Sequence, residues 1–289
     1  MFSSEELHAA IAGAEAVVTL LSDRVDDAFL DAAGPQLRVV ANVAVGYNNI
    51  DVAACAARGV IVTNTPGVLT DATADIAMAL ILMVTRRLGE GERVIRGQAG
   101  WRWHMHYLLG TSLQGKTLGI VGLGQIGTAT ARRARAFGMQ IAYSGRRRAD
   151  EAVEAELGAR FTGFDELLAT SDVVSLHCPL TPETTHLITA ERLRQMRSDA
   201  YLVNTTRGPV VDESALAEAL AAGVIAGAGL DVFENEPEVH PGLLELENAV
   251  LIPHLGSATI ETRTAMAVLA ARNAAAVLAG GAPLTPVSV

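Results

Sequence analysis

The stretch TLGIVGLGQIG, residues 117–127, decides the fold predicted for this chain. Its first five residues form a short apolar run typical of a buried strand, and the motif GxGxxG follows at Gly122, Gly124 and Gly127. The first glycine permits a tight turn, the second lets a pyrophosphate approach the backbone, and the third lets the next helix pack closely on the strand. A helical pattern over 126–137 and a second apolar run over 139–144 complete the unit. The order strand, motif, helix, strand predicts a dinucleotide-binding unit of the Rossmann type.

The same alternation of short β-branched runs with helical patterns extends over the whole chain. Strands separated by helices require right-handed crossovers, so they predict doubly wound parallel sheets of the α/β class. Nine predicted strands fit poorly into one open sheet. We therefore predict two such domains, with a long apolar helix over 71–88 leading from the first into the second. The other predicted strands are 16–21, 37–43, 60–64, 173–176, 200–204, 225–230 and 250–252, and the other predicted helices are 5–12, 25–33, 51–58, 151–157, 165–169, 190–196, 213–222 and 259–278.

Composition and charge exclude several classes of protein. Of the 289 residues 50% are hydrophobic and 19% are charged, which supplies a sizeable core and argues against disorder. The net charge of -10 disfavours nucleic acid and anionic membranes as partners, and the longest apolar run, 76–84, is too short to cross a bilayer. Only Cys55 and Cys178 are present, and the first residues lack the basic flank and apolar stretch of a signal peptide. A cytoplasmic protein is therefore expected.

The residues after the second strand of the Rossmann unit bear on the choice of cofactor. Enzymes that use NAD place an acidic residue there for the ribose hydroxyls, whereas this chain reads SGRRR over 144–148. A hydroxyl and guanidinium groups would bind the 2′-phosphate that a carboxylate would repel. We therefore predict that Ser144, Arg146 and Arg147 favour NADP(H). If the turn is only a solvated basic loop, NAD(H) is the alternative cofactor.

Five further stretches of the sequence carry a resemblance to a known family: NVAVGYNNID (42–51), TNTPGVLT (63–70), NTTRGPVVD (204–212), GLDVFENEP (229–237) and PHLGSAT (253–259). Together with the glycine motif, and in this order, they make the chain similar to the D-isomer-specific 2-hydroxyacid dehydrogenases over essentially its whole length. The likeness is strongest to the glyoxylate and hydroxypyruvate reductases of that family. It implies hydride transfer from a nicotinamide cofactor to a small 2-oxo acid such as glyoxylate or hydroxypyruvate, which gives the 2-hydroxy acid.

The resemblance also implies a discontinuous domain organisation. A Rossmann cofactor domain, 71–256, would be inserted into a flavodoxin-like substrate domain made of 1–70 and 257–289. Since the family begins with a strand and a helix ahead of this chain's first helix, we expect the substrate domain to lack its first strand. The family pairs two subunits through the region of the helix over 71–88, and the apolar surface of that helix favours a homodimer.

Three side chains are predicted to act on the substrate. His254 follows a predicted strand, where open α/β sheets bind ligands, and imidazole is suited to general acid catalysis near neutral pH. The resemblance assigns Glu236 the orientation of that imidazole. It assigns Arg207 the binding of the substrate carboxylate and the polarisation of the carbonyl group. The backbone amides of Val45 and Gly46 would donate further hydrogen bonds to the carboxylate.

The remaining predictions concern the partner subunit, metals and the dinucleotide. By resemblance, Trp103 reaches the substrate site of the partner subunit. No pair of histidines or cysteines has the spacing of a zinc site and hydride transfer needs no metal, so none is expected. The residues predicted to contact the dinucleotide are Leu123, Gly124, Gln125, Ile126, Ser144, Arg146, Arg147, Cys178, Pro179, Thr205, Thr206, Asp231 and Gly256.

Two alternatives to a glyoxylate or hydroxypyruvate reductase stay open at this point. Another enzyme of the same family, acting on D-lactate, phosphoglycerate or phosphite, would share these motifs. A nicotinamide-sensing protein without activity, similar to the transcriptional co-repressors that resemble this family, would share the fold. The acidic composition and the presence together of Arg207, Glu236 and His254 favour catalysis over sensing.

Overall fold

The computed structural model describes residues 3–98 and 100–288. The chain forms two compact units: the first comprises the chain up to Leu69 and from Ala258 onwards, and the second comprises Thr70–Ser257. Each unit contains a sheet in which all the paired strands run parallel. The predicted α/β class with two parallel sheets is therefore confirmed.

Helices and strands alternate along most of the chain. In chain order they are α1 (Ser4–Ile11), β1 (Ala16–Thr19), α2 (Asp27–Ala33), β2 (Val39–Asn42), α3 (Val52–Ala57), β3 (Ile61–Thr63), α4 (Thr70–Thr85), α5 (Leu88–Arg96), β4 (Thr117–Val121), α6 (Gln125–Ala136), β5 (Gln140–Ser144), α7 (Glu151–Leu157), β6 (Arg160–Phe161), α8 (Phe164–Thr170), β7 (Val173–Leu176), α9 (Ala190–Gln195), β8 (Tyr201–Asn204), a 3-10 turn (Gly208–Val210), α10 (Glu213–Ala221), β9 (Gly227–Leu230), α11 (Pro241–Leu244), β10 (Ala249–Leu251) and α12 (Ile260–Leu278). The sequence analysis did not predict α5, α11 or the two-residue strand β6.

The first unit is built on a sheet with the strand order β1-β2-β3. Successive residues of β2 face opposite sides of this sheet, as the period of a strand requires. Val40 packs with Phe29 in a core that α2 and α3 cover, whereas Val39 packs with Ala270 and Val277 of α12. The core of the first unit therefore contains side chains from both ends of the chain.

The second unit has a seven-stranded sheet in the order β10-β9-β8-β7-β4-β5-β6. The chain begins this sheet in its interior at β4, extends to one side through β5 and β6, and then returns to add β7 to β10 on the other side. The order reverses between β4 and β7, and open α/β sheets bind ligands in the crevice beyond the carboxyl ends of the strands at such a point. The loops that follow β4, β5, β7, β8, β9 and β10 thus define one candidate region.

The long helix predicted over 71–88 ends earlier than expected. Arg87 has a left-handed backbone with φ of 53°, which interrupts the helix between α4 and α5. Its guanidinium group pairs with Glu90, at 2.7 Å between Nε and Oε2. Leu80 and Ile81 of α4 are buried inside the second unit itself, and the other apolar residues of the helix are buried or half-buried; the pairing of subunits through this helix stays a prediction. Exposed apolar side chains follow it instead, at Leu88, Ile95, Trp101, Trp103, Met105 and Leu109.

A helix that crosses a bilayer needs about 20 mostly apolar residues. Among residues 3–98 and 100–288, no helix combines enough length with enough apolar character to span a membrane.

Candidate active site

The glycine loop connects β4 to α6 at the point where the strand order reverses. Gly122 has φ of +94°, and a Cβ atom there would lie 3.0 Å from the backbone of His177 and Cys178. A Cβ atom on Gly127 would overlap the carbonyl oxygen of Gly122. Gly124 is the N-cap of α6, receives no side-chain cap, and has open space where its Cβ would lie. The uncapped amides of this helix start and the open space at Gly124 fit the pyrophosphate of a dinucleotide.

The neighbouring residues of this loop that were predicted to contact the dinucleotide differ in exposure. Leu123 is half-buried and packs against the apolar core beneath the sheet. Ile126 is half-buried in the first turn of α6, and Gln125 is exposed. The side chains of Leu123 and Ile126 are therefore only partly available to a ligand, whereas that of Gln125 is accessible.

The turn after β5 presents two arginines to solvent. Ser144 is buried at the end of the strand, and its carbonyl oxygen accepts a hydrogen bond from the Gly122 amide at 2.8 Å. Arg146 and Arg147 are exposed, and within the described residues neither side chain forms a hydrogen bond or an ion pair. The pKa of Glu183 lies below its usual value, mainly through a hydrogen bond from Thr181 and also through the charge of Arg146. Arg146 is thus near the loop that follows β7.

The loop after β7 lies against the glycine loop. The Nε2 atom of His177 lies 2.8 Å from the hydroxyl oxygen of Ser175, and its Nδ1 atom is buried without a hydrogen-bond partner in the described chain. Burial lowers the pKa of His177 to about 4, so the ring is neutral at physiological pH. Burial likewise raises the pKa of the Cys178 thiol to about 11. Cys178 therefore packs as an uncharged side chain, and Pro179 beside it is exposed.

Asn204, the last residue of β8, shapes the turn that carries Arg207. Its Nδ2 atom donates to the Arg207 carbonyl oxygen at 2.9 Å, and its Oδ1 atom accepts from the Thr206 amide at 3.0 Å and the Thr206 hydroxyl at 2.8 Å. The hydroxyl of Thr205 is buried and has no partner within the described residues. Of the two threonines predicted to contact the cofactor, Thr205 therefore has a hydroxyl available for a ligand, whereas the Thr206 hydroxyl already serves the turn.

Gly208 brings the loop after β8 against the loop after β9. A Cβ atom at this position would overlap the carbonyl group of Phe233, so only glycine allows this approach. Beside it, the amide of Glu234 donates to the carboxylate of Glu213 at 2.7 Å, which joins the second loop to the start of α10. The two loops are consequently fixed relative to each other inside the second unit.

Glu236 and His254 form a hydrogen-bonded pair between the loops after β9 and β10. The His254 Nδ1 atom lies 2.8 Å from Glu236 Oε2, with the side chains 31% and 35% exposed. The other carboxylate oxygen of Glu236 accepts from the Phe233 amide at 3.0 Å. Burial raises the pKa of Glu236, but the hydrogen bonds from His254 and Phe233 and the charges of His254 and Arg207 bring it below its usual value. The pair orients the imidazole and leaves its Nε2 atom as the proton carrier available to a ligand.

Asp231 holds the loop on which His254 lies. Its buried carboxylate accepts hydrogen bonds from the amides of Leu255 at 2.5 Å and Gly256 at 2.8 Å, and its carbonyl oxygen accepts from the His254 amide at 2.8 Å. Burial raises the pKa of Asp231, and the two amides oppose that rise. These contacts keep His254 in a left-handed conformation, with φ of 51°. Asp231 and Gly256, both predicted to contact the cofactor, thus also fix the position of the imidazole.

Arg207 lies on the same side of the sheet as this pair. Its Nη1 atom donates to the carbonyl oxygen of Thr206 at 2.7 Å, which fixes the direction of the guanidinium group. Burial lowers the pKa of Arg207, while the charge of Glu236 raises it. The structure therefore brings together in one unit the three residues predicted to act on the substrate, Arg207, Glu236 and His254.

Val45 and Gly46 belong to the first unit, in the loop after β2. The side chain of Asn64 donates to the carbonyl oxygen of Val45 at 2.8 Å, and that of Asn42 donates to the carbonyl oxygen of Gly46 at 3.0 Å. Within the described residues, the amides of Val45 and Gly46 donate no hydrogen bond to the chain. The loop thus has a fixed shape with two amides available, and their contact with a substrate stays a prediction.

The remaining predicted residues lie outside this group. Trp103 is 77% exposed in the segment after α5, and its contact with a partner subunit stays a prediction. In the same segment Trp101 stacks on Tyr107, and His104 meets the edge of that ring. In the part of the chain that the structure describes, no three His, Cys, Asp or Glu side chains group as metal ligands would.

Sequence reasoning left several positioning residues without a role. Asn204 and Gly208 lie inside the stretch that carried the resemblance, yet only the structure shows that they shape the Arg207 turn and its approach to Phe233. The signal for Asn204 was a polar side chain directly after a buried strand. For Gly208 it was a glycine followed by proline. The buried, unpartnered Nδ1 atom of His177 could not be predicted, because it follows from how the loop after β7 packs.

Comparisons with known proteins agree with this geometry. Residues 78–256 match the family model described as D-isomer specific 2-hydroxyacid dehydrogenase, NAD binding domain. A glyoxylate reductase from Thermococcus litoralis is 52% identical over 274 residues, which is 93% of this chain and 82% of the relative. A solved structure from Thermus thermophilus superposes with a TM-score of 0.93 at 46% identity, covering 100% of this chain and 91% of that one. An NADPH-dependent glyoxylate/hydroxypyruvate reductase from Sinorhizobium meliloti, solved with NADP and malonate, gives a TM-score of 0.87 at 38% identity, covering 98% and 88%.

Proposed function

Because this chain belongs to the D-isomer-specific 2-hydroxyacid dehydrogenase family, we propose that it reduces glyoxylate and hydroxypyruvate to their 2-hydroxy acids with NADPH as the preferred cofactor. At the coarser level the chain is an NAD(P)-dependent oxidoreductase of the glyoxylate reductase type that acts on small 2-oxo acids. The observation that carries the finer proposal is the His254–Glu236 pair, fixed at the carboxyl edge of the sheet whose glycine loop fits a dinucleotide.

The residues that would hold the cofactor line the carboxyl edge of the sheet. The α6 amides beyond Gly124 would bind the pyrophosphate, and the unpartnered Thr205 hydroxyl would supply a further polar contact. When bound, the nicotinamide supplies the hydride that the reduction adds to the carbonyl carbon. Each of these groups is a hydrogen-bond donor that the chain itself leaves unused, which is why we assign them to the ligand.

The proton that completes the reduction is assigned to His254. Its Nδ1 atom is bonded to Glu236 at 2.8 Å, so the proton on Nε2 is the one that can pass to the carbonyl oxygen. The carboxylate of Glu236 stabilises the protonated ring before transfer, because opposite charges attract at this distance. With 31% of its side chain exposed, His254 can recover a proton from solvent after each turnover.

Binding of the substrate carboxylate is assigned to Arg207. The guanidinium group is planar and presents paired donors, which suits a carboxylate better than an ammonium group does. Arg207 is partly desolvated, as the downward shift of its pKa reflects, and a desolvated cation attracts an anion more strongly. The amides of Val45 and Gly46 in the first unit would add neutral donors for the same carboxylate. We thus assign the cofactor to the second unit, whose Arg207 would also bind the substrate carboxylate.

The preference for NADPH is assigned to the turn after β5. Ser144 occupies the position where a carboxylate would repel a 2′-phosphate, and Arg146 and Arg147 are exposed beside it without ion-pair partners in the described chain. Two guanidinium groups that form no ion pair favour a doubly charged anion. The NADPH-dependent relative from Sinorhizobium meliloti supports the same choice.

We also propose that two copies of the chain associate. Among the described residues from Leu88 to Leu109, six large apolar side chains are exposed, including Trp103 at 77%. Exposed apolar side chains in one segment are typical of an interaction surface, and a symmetric pair is the commonest way to cover one. Sedimentation at micromolar concentration should give a dimer, and a monomer there would also end the role of Trp103 in a partner's site.

The proposed reaction is tested by steady-state kinetics with four acids, each with NADPH and with NADH. Glyoxylate and hydroxypyruvate should be reduced with higher kcat/KM than pyruvate or 3-phosphohydroxypyruvate, and NADPH should be preferred to NADH. His254→Asn, which tolerates the left-handed backbone, should lower kcat by about a hundredfold to ten-thousandfold. Absence of turnover with all four acids would favour a sensing role, and near-normal turnover in the folded variant would remove His254 from the reaction.

A further inference from the structure

The turn that presents Arg146 and Arg147 is closed by a buried tyrosine. Tyr143, the residue before Ser144 in β5, is only 1% exposed. Its hydroxyl oxygen accepts a hydrogen bond from the Ala149 amide at 2.8 Å, and its hydroxyl hydrogen is donated to the carboxylate of Glu154. Since Ser144 is held to the glycine loop by the Gly122 amide at 2.8 Å, both ends of the turn are fixed.

The third arginine of the turn differs from its two neighbours. Arg148 donates two hydrogen bonds to Glu154, from Nε at 2.9 Å and from Nη2 at 2.8 Å. The Glu154 side chain is 11% exposed, and the hydrogen bonds from Arg148 and Tyr143 lower its pKa to about 2. Glu154 is therefore ionised at any working pH, and Arg148 is occupied by it. Arg146 and Arg147 have no such pair in the described chain.

We propose that Tyr143, Arg148 and Glu154 are positioning residues for cofactor choice, which hold the turn so that Arg146 and Arg147 face the 2′-phosphate of NADPH. This proposal rests on the proposed preference for NADPH. Two long side chains on a loose turn lose much conformational freedom when they bind a phosphate, and a turn already fixed at both ends lowers that loss. These three residues therefore raise the affinity for the 2′-phosphate without contacting the phosphate.

The chain offers a matched pair of variants. Glu154→Gln keeps the shape of the side chain but removes the charge that Arg148 and Tyr143 bind. Glu156→Gln is the control, because Glu156 lies on the same helix α7 and also receives two hydrogen bonds from an arginine, Arg132, away from the turn. A second test variant, Tyr143→Phe, removes only the hydroxyl that joins Ala149 to Glu154.

Two measurements report on the 2′-phosphate separately from the rest of the site. The first is the ratio of kcat/KM for NADPH to that for NADH. The second is the dissociation constant of adenosine 2′,5′-bisphosphate compared with that of AMP, measured by calorimetry on the full chain without substrate. Glu154→Gln should lower the ratio and weaken the bisphosphate by about tenfold each, with NADH kinetics and AMP binding within twofold. Tyr143→Phe should act in the same direction, and Glu156→Gln should change neither measurement.

Three outcomes would overturn the proposal. An unchanged kcat/KM for both cofactors in Glu154→Gln would mean that the network does not position the arginines, and a raised ratio would mean that the released Arg148 is itself a phosphate ligand. Equal losses for NADPH and NADH would assign Glu154 to the fold alone. If the natural chain prefers NADH, the proposed cofactor preference fails as well, and this is visible before any variant is made.

Discussion

Replacing Glu236 by glutamine tests the proton-donating pair directly. The variant keeps a side chain of the same length between the Phe233 amide and His254 Nδ1, which lie 3.0 Å and 2.8 Å from the two carboxylate oxygens. It removes only the negative charge. Because the carboxylate attracts the positive charge of the imidazole that donates the proton, the variant should reduce glyoxylate more slowly than the natural chain.

The size of this effect follows from the exposure of the pair. A hydrogen bond to a charged group contributes about 1.5–3 kcal/mol. Exposure of 31% and 35% of the two side chains places this bond at the lower end of that range, because water screens the charges. A loss of about 1.4 kcal/mol is tenfold in a rate, so kcat/KM for glyoxylate should fall by about tenfold or more in the variant. Since the pKa of Glu236 lies below its usual value, its carboxylate stays ionised over the whole assay range.

The assay is kcat/KM for glyoxylate between about pH 5 and 9, with Glu238→Gln as the control two residues along the same loop. The control should keep kcat/KM within about twofold of the natural chain, and Glu236→Gln should lower it by about tenfold or more throughout this range. A kcat/KM equal to that of the natural chain would remove Glu236 from the site.

Three further predictions follow from other parts of the second unit. Arg207→Lys should lower kcat/KM for glyoxylate by about thirtyfold or more, because an ammonium group cannot form the paired hydrogen bonds of a guanidinium group. Activity within threefold of the natural chain would refute the assignment of the substrate carboxylate to Arg207. The pKa of His177 is about 4 in the folded chain against an ordinary 6.5, so its contribution to stability is complete above pH 6.5 and is lost as the pH falls towards 4. In urea titrations, the free energy of unfolding should fall between pH 7.5 and pH 5 by about 2 kcal/mol less in His177→Gln than in the natural chain. An equal fall in both proteins would contradict the neutral ring. Gly208→Ala should reduce activity, and it should lower the free energy of unfolding by about 1–3 kcal/mol. The control Gly163→Ala, where a Cβ meets open space, should change neither. A fully active Gly208→Ala chain would show that the loops after β8 and β9 need not touch.

The sequence predicted the elements with the strongest periodicity and missed those whose signal is weak. The strands at Thr117–Val121 and Val173–Leu176 agree with the predicted bounds to the residue, because runs of buried apolar residues bounded by glycine or polar residues are unambiguous. The strand β6 has only two residues, Arg160–Phe161, both exposed, and exists through its pairing with β5. The break at Arg87 could not be predicted, since an arginine in a left-handed conformation has no local signature.

The candidate site shows a similar division. His254, Glu236 and Arg207 could be chosen because their residue types suit the chemistry and their stretches match a family. The contacts that fix them could not, because they join residues far apart in the sequence, such as the Asp231 carboxylate with the Gly256 amide at 2.8 Å. The ion pairs of Arg132 with Glu156 and of Arg133 with Asp75, which tie α6 to its neighbours, could not be predicted either. A surface arginine pattern does not reveal which acidic residue the fold brings opposite to it.

The discontinuous core of the first unit has a consequence for how the chain is made on the ribosome. Val39 and Ala41 pack with Ala270, Ala274 and Val277 of α12, which are synthesised after the whole second unit. The second unit ends at Ser257, so all of its strands leave the ribosome before α12 does. Although domains usually fold in the order of synthesis, here the inserted unit can finish first. Until α12 has been synthesised, one apolar face of the β1-β2-β3 sheet stays exposed to solvent. A chaperone would be needed to protect that face.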